Sequence, residues 1–323
     1  MRTRKLGYSD LHLTPIGLGT WAMGGGAGLS WGPQDDSDTV AAIRRALELG
    51  INWIDTAAVY GLGHSEEMVG KAIAGRRDEV ILATKCGRVW KPGETRPSGR
   101  LKAESVRREA EDSLRRLGVE VIDLYQVHWP DPDEDVEEAW GVVADLIRAG
   151  KVRYGGVSNF NVAQLKRVQA IHPVASLQPP YSMLRRGVEA ELLPYCAANG
   201  IGVIVYSPMQ AGLLTGKFSR ERVAQLAAED WRRRNHHFQE PQLSATLDLV
   251  ESLRPIAERN GRTLAQLAIA WVLRRPEVTA AIVGARRPAQ IEETAPAADW
   301  TLAAEDIAEI DALLAKREKA AER

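Results

Sequence analysis

Asn52-Trp53-Ile54-Asp55-Thr56-Ala57-Ala58-Val59-Tyr60-Gly61 reads as a short buried strand that runs into a loop. Trp53 and Ile54 suit a strand interior, Asp55 stands where the strand should stop, and Tyr60 follows among small residues before a glycine. An acid and a phenol therefore meet at a strand end. The pattern recurs, since the apolar run 80–84 ends in Lys85 and the run 121–127 ends in His128.

Working outward, the chain alternates strand and helix. Residues 3–13 alternate around Gly7-Tyr8-Ser9-Asp10, a turn-rich cluster that predicts a small N-terminal hairpin. Strands follow at 15–20, 51–55, 80–85, 121–128, 154–158, 175–178, 202–206 and 280–283. Between them lie helical faces with recognisable caps. Asp36 or Ser37 caps the first, Ser65 caps the second with Glu66 and Glu67 in its first turn, and Asn161 with Gln164 forms a capping box. Helices are also expected at 189–198 and 263–274, and at 303–317 beyond the last strand. Strict alternation demands parallel strands with crossover helices, and eight such units close a barrel. The prediction is a (β/α)8 TIM barrel of one domain over 1–323, with an N-terminal β-hairpin and an extra C-terminal helix. Residues 217–241 are expected as a long loop or short helices over the mouth.

One motif points elsewhere. Gly17-Leu18-Gly19-Thr20-Trp21-Ala22 matches the dinucleotide fingerprint of an open doubly wound sheet, which requires a helix to begin inside it. Gly24, Gly25 and Gly26 disfavour that helix, so the barrel is the better reading.

Composition narrows the partners. The chain has 323 residues with a formal net charge of -1, which gives no global pull toward nucleic acid or an anionic membrane. Its two cysteines, Cys86 and Cys196, make neither a disulfide framework nor a metal-ligand pattern. No apolar run reaches the roughly 20 residues of a membrane span. The expectation is a cytoplasmic protein acting on small molecules, with no metal.

In a barrel the strand ends of the C-terminal face converge. Asp55, Tyr60, Lys85 and His128 would then share one site. A phenol exchanges protons poorly at neutral pH, but a nearby ammonium favours phenolate, so Lys85 is expected to lower the pKa of Tyr60. Asp55 would hold Lys85, and His128 would orient a carbonyl oxygen or relay its proton. Without a serine or cysteine beside a base, hydride transfer to a carbonyl fits better than hydrolysis.

Gly17-Leu18-Gly19-Thr20-Trp21, Asp55-Thr56-Ala57 with Tyr60-Gly61, Ala83-Thr84-Lys85, Gln126-Val127-His128, Gly155-Gly156-Val157-Ser158-Asn159-Phe160, Tyr206-Ser207-Pro208 and Gly284-Ala285-Arg286 together resemble the aldo-keto reductases. The resemblance runs nearly the whole length. It implies that Asp55, Tyr60, Lys85 and His128 form the catalytic tetrad, with Tyr60 as proton donor. It also implies an extended NADPH lying across the mouth, with Ser158, Asn159 and Gln178 at the carboxamide and Tyr206 on the nicotinamide ring. Gly19, Thr20, Trp21 and Asp55 would also contact the cofactor.

The loop Ser207-Pro208-Met209-Gln210-Ala211-Gly212-Leu213-Leu214-Thr215-Gly216-Lys217 suits a pyrophosphate, with Ser207, Pro208, Gly212, Leu213 and Lys217 as contacts. By the family pattern Arg286 and Gln290 grip the adenosine 2′-phosphate and Glu293 faces the adenine, with Gly284 a further cofactor contact; Arg287 should point elsewhere. Ala285 and Thr294 depart from that pattern. The substrate pocket is expected from Trp21, Tyr60, Trp90, His128 and Trp129. Two other readings are a regulatory subunit resembling those of potassium channels, which no appended N-terminal segment favours, and a barrel lyase or isomerase using Lys85 as a Schiff-base amine.

Overall fold

Eight parallel strands close on themselves in the computed structural model, which describes residues 1–26, 31–91, 93–94, 96–228 and 230–321. They are Ile16–Gly19, Trp53–Asp55, Ile81–Cys86, Ile122–Val127, Val152–Ser158, Ser176–Gln178, Gly202–Val205 and Val278–Gly284. Each pairs with its neighbour in chain order, and the ring closes where Val283 meets Leu18 and Gly284 meets Gly19. The (β/α)8 barrel is the fold.

Side chains alternate across each strand, and that alternation separates two layers. Trp53, Ala83, Leu124, Ile204, Ala280 and Ile282 fill the interior, whereas Ile54, Leu82, Tyr125 and Val205 face the helices. The indole of Trp53 is accommodated only because its neighbour is glycine: a Cβ on Gly17 would stand 2.0 Å from it. The predicted hairpin, Arg4–Lys5 against His12–Leu13, packs Leu6, Leu11 and Leu13 into this interior cluster. The barrel's N-terminal end is thereby plugged, and its C-terminal end stays open.

Several local expectations are corrected. The first helix, Asp36–Glu48, is capped by Asp35, whose carboxylate accepts from Ser37 N at 2.8 Å and Asp38 N at 3.0 Å. Ser65 does not cap the second helix, His64–Ile73; Gly63 does, at φ 103° after a left-handed Gly61 and Leu62. Freed from capping, Ser65 donates to Thr20 Oγ1 at 2.7 Å. Glu66 and Glu67 do stand in its first turn, and Glu66 is buried there, accepting from Thr84 Oγ1 and Arg116 Nε at 2.6 Å each.

The expected helix over 189–198 divides into a 3-10 turn, Gly187–Glu189, and a helix, Leu192–Ala198. Apart from Glu229, which lies outside the described residues, 217–241 forms the short helix Arg220–Ala224 and the turns Trp231–Arg234 and His236–Phe238. A helix that the sequence reading missed, Gln242–Arg259, follows and packs on the terminal helix, Ala304–Ala321. Arg259 Nε reaches Asp306 at 3.0 Å across that contact. Beyond the third strand, Arg88–Val89 and Ser98–Gly99 form a second small hairpin at the mouth.

Candidate active site

Two residues past the interior layer of Trp53, Ala83 and Leu124 stand Asp55, Lys85 and Gln126. Period-two alternation puts them on the same inward face, one step nearer the open end. The register sets Lys85 beside Gln126, Gln126 beside Gly156 and Ser158 beside Gln178. A polar ring therefore caps the apolar core.

Its centre is a buried ion pair. Lys85 Nζ donates to Asp55 Oδ2 at 2.6 Å, to the Thr56 carbonyl at 2.9 Å and to the Tyr60 hydroxyl at 3.4 Å. The other Asp55 oxygen accepts from Gln178 Nε2 at 2.8 Å and Gln126 Nε2 at 3.4 Å. The carboxylate is thus held from both sides. The Tyr60 and His128 rings meet edge to face, with centroids 5.8 Å apart.

Burial governs how these groups titrate. The Tyr60 phenol is pushed well above its ordinary value by desolvation and then by the Asp55 charge, against the expectation that Lys85 lowers it. The ammonium spends its strongest contact on Asp55, at 2.6 Å, and reaches the phenol only at 3.4 Å. Lys85 itself is lowered by burial, with Asp55 opposing. His128 is held well below its usual range by burial, then by the cations Lys85 and Arg88. The site therefore presents a protonated phenol beside a neutral imidazole.

Above this floor opens a cleft of about 760 Å³, within the range of small-molecule sites. Gly19, Trp21, Asp55, Tyr60, His128, Trp129, Ser158, Asn159, Gln178, Tyr206, Ser207, Pro208, Gly212, Lys217, Gly284, Arg286, Gln290 and Glu293 all line it. Lys85 lies just behind the wall. Thr20 and Leu213 do not line it, because both are fully buried; Thr20 is spent on Asp55 O and Ser65, and Leu213 on an apolar cluster with Phe238 and Leu243. Trp90 is also absent from the lining, and Arg88 and Pro97 occupy that part of the wall.

Asn159 has φ 65°, and its side chain donates to the His128 carbonyl and accepts from the Tyr206 hydroxyl at 2.8 Å. It joins three strand ends. At the far side Lys217 pairs with Glu293. Arg286 is not a free-standing cation: its Nε donates to Gln34 Oε1 at 2.6 Å, and Gln34 Nε2 returns a bond to the Arg286 carbonyl at 2.9 Å. Arg287 points away from the cleft toward Asp38.

Gln126, buried under the floor, and Trp31 and Arg232, which line the cleft, were missed in the sequence. Gln126 sits in a strand where nothing but register reveals its neighbours. Trp31 stacks edge to face on Trp21 at 5.5 Å and on Trp231 at 5.6 Å, while the Arg232 guanidinium lies 4.7 Å from the Trp31 ring. Segments about 200 residues apart in the chain thus build one aromatic rim, and local pattern carries no signal of it.

Residues 15–315 match the model of the aldo/keto reductase family. The chain belongs to that family. Aldo-keto reductase YhdN of Bacillus subtilis is 41% identical to this aldo/keto reductase over 97% of the chain and 94% of its own length. An NADH-specific methylglyoxal reductase of Escherichia coli is 36% identical over 95% and 96%. Among solved structures, the glycerol dehydrogenase AKR11B4 from Gluconobacter oxydans superposes with a TM-score of 0.90 at 37% identity, covering 98% of this chain and 95% of that one.

Proposed function

We propose that this aldo/keto reductase reduces aldehydes or ketones to alcohols with a nicotinamide cofactor, and prefers NADPH. The observation that carries the proposal is the Tyr60 hydroxyl 3.4 Å from the Lys85 ammonium and edge to face with the His128 ring, over the buried Lys85–Asp55 pair at the floor of the cleft. The cleft suits a dinucleotide. Among the described residues five cations line it, Arg88, Lys217, Arg222, Arg232 and Arg286, against two carboxylates, Asp55 and Glu293, each of which already has a lysine partner. Gly19 and Gly284, neighbours in register, leave the rim between the first and last strands without side chains.

In this reading Ser158, Asn159 and Gln178 hold the carboxamide, Tyr206 faces the ring, and the loop with Ser207, Pro208, Gly212 and Lys217 holds the pyrophosphate. Arg286 and Gln290 hold the adenosine 2′-phosphate, and Glu293 lies near the base. A phosphate at Arg286 would replace neutral acceptors of the 31–34 loop by a charged one, an exchange that favours the phosphate. When bound, the cofactor supplies a hydride to the carbonyl carbon.

The chain's own residues manage the oxygen. Tyr60 gives its hydroxyl proton to the carbonyl oxygen, and the Lys85 ammonium stabilises the negative charge left on the phenol. Asp55 keeps that ammonium charged, and Gln126 and Gln178 keep Asp55 in place. His128, neutral, positions the carbonyl oxygen through a ring nitrogen. A Schiff-base lyase is disfavoured because Lys85 is fully buried and committed to three acceptors. The test is the loss of reduced-nicotinamide absorbance over a panel of aldehydes and ketones, with NADPH and NADH in parallel. Faster turnover at lower cofactor KM with NADPH is expected. A preference for NADH would overturn the cofactor assignment, and no turnover with either would overturn the reaction.

A further inference from the structure

Strand order around the barrel is chain order, so the loops after the third and fourth strands lie across the mouth from those after the seventh and eighth. The second pair of loops carries Lys217 and Arg286. The first pair carries Arg88, three residues past Lys85, and Trp129, next to His128. These two loops are fastened together, since His128 N donates to the Cys86 carbonyl at 3.0 Å and the Arg88 guanidinium lies 5.8 Å from the Trp129 ring. The Arg88 charge also helps to hold His128 neutral.

Arg88 is poorly neutralised for its position. Its side chain is 22% exposed, and among the described residues its ion-pair partner is Asp131, 58% exposed, which accepts from Nη1 at 2.8 Å. A guanidinium has five N–H donors, so one rim carboxylate leaves most of the fork unused. The wall beside it is apolar, with Trp129 against the guanidinium and Pro97 next to the strand that pairs with Arg88, and Trp21 and Val59 line the same cleft. An incompletely paired cation over an apolar wall favours a ligand with an apolar body and an anionic end.

We infer that Arg88 is an anion subsite and that the preferred substrates are aldehydes or ketones with a carboxylate a few carbons from the carbonyl. This rests on the reductase reading above. Cofactor phosphates, held by the cations across the mouth, leave Arg88 to the substrate, with Tyr60 and His128 at the carbonyl between the two sides.

The experiment compares kcat/KM for meta- and para-formylbenzoate with their methyl esters, in wild type, Arg88→Met and Asp131→Asn. A charge-assisted hydrogen bond at a partly exposed site, contested by Asp131, predicts an acid-to-ester ratio of about ten in wild type for at least one isomer. Arg88→Met should bring that ratio to about one or below. Asp131→Asn should raise it by removing the competing carboxylate, and added salt should lower it. A wild-type ratio near one for both isomers, or a ratio that survives Arg88→Met, would overturn the subsite. Calorimetric binding of the corresponding hydroxymethylbenzoates and their esters separates this outcome from failure of the reductase reading. Acid binding that depends on Arg88 without turnover of either aldehyde would leave the subsite standing and overturn the reaction. Equal binding of acid and ester would overturn the subsite itself.

Discussion

A lysine removed from water needs a carboxylate, and a carboxylate removed from water needs donors on both oxygens. Asp55 meets both needs, with Lys85 on one oxygen and Gln126 and Gln178 on the other. The titration directions of its neighbours lead to a pH prediction. Tyr60 is raised, so the proton donor stays loaded; His128 is lowered, so the imidazole stays neutral. The kcat for reduction should therefore be level from about pH 6 to about pH 9, where ordinary histidine would titrate. A limb near pH 6.5 that disappears in His128→Ala would show His128 titrating at its usual value. At the other end of the cleft, Arg286→Ala should raise the Kd for NADP(H) by roughly 10- to 150-fold and that for NAD(H) much less, measured by fluorescence titration. Equal losses would assign Arg286 to its bonds with Gln34 and the 31–34 loop. Asp55, Lys85 and His128 were legible because each terminates an apolar run. The commitments of Arg286 and Gln126 were not, because their partners lie 252 and 71 residues away.

Elements are held to one another by buried polar contacts as well as by the helix layer. Glu109, on the helix Ala103–Leu117, accepts from Gly87 N at 2.8 Å and Ser105 Oγ at 3.0 Å, and ties that helix to the loop after the third strand. Burial raises its pKa to about 7. The folded value lies above the unfolded one, so between about pH 4.5 and about 7 the unfolded chain ionises first and stability falls as pH rises. Above that window the native state carries a charge whose burial costs up to roughly 3 kcal/mol. Glu109→Gln keeps an acceptor for Gly87 and a donor for Ser105, so its urea midpoint should exceed wild type at pH 8 and approach it at pH 5. The same midpoint at both pH values would leave Glu109 without this role. Helix positions were legible where apolar spacing and a cap coincided, as at Asn161 with Gln164, whereas the capping box of Thr263 with Gln266 was not singled out. Ser65 misled because a left-handed Gly63 caps the helix two residues earlier. The helix Gln242–Arg259 was missed because it has no strand to follow, and Pro255 stands inside it.

The whole molecule separates stability from chemistry along one axis, with a hairpin plug at one end and the polar ring at the other. Leu11 is almost fully buried in the plug. Leu11→Ala should lower unfolding stability by about 2–5 kcal/mol, measured in urea, and leave kcat within a factor of two. A comparable fall in kcat would show that the two ends are coupled. The barrel itself was legible from eight strands separated by helices, whereas the aromatic rim of Trp21, Trp31 and Trp231 arises only when the ring closes and the insertion after the seventh strand covers it. The central claim is that Tyr60 delivers the proton that turns a carbonyl oxygen into a hydroxyl. Single-turnover reduction by Tyr60→Phe, with cofactor binding measured on the same preparation, tests it most directly. The chemical rate should fall by ~10² or more while the cofactor Kd stays close to wild type. Reduction at a near wild-type rate would remove Tyr60 from the chemistry and contradict the account.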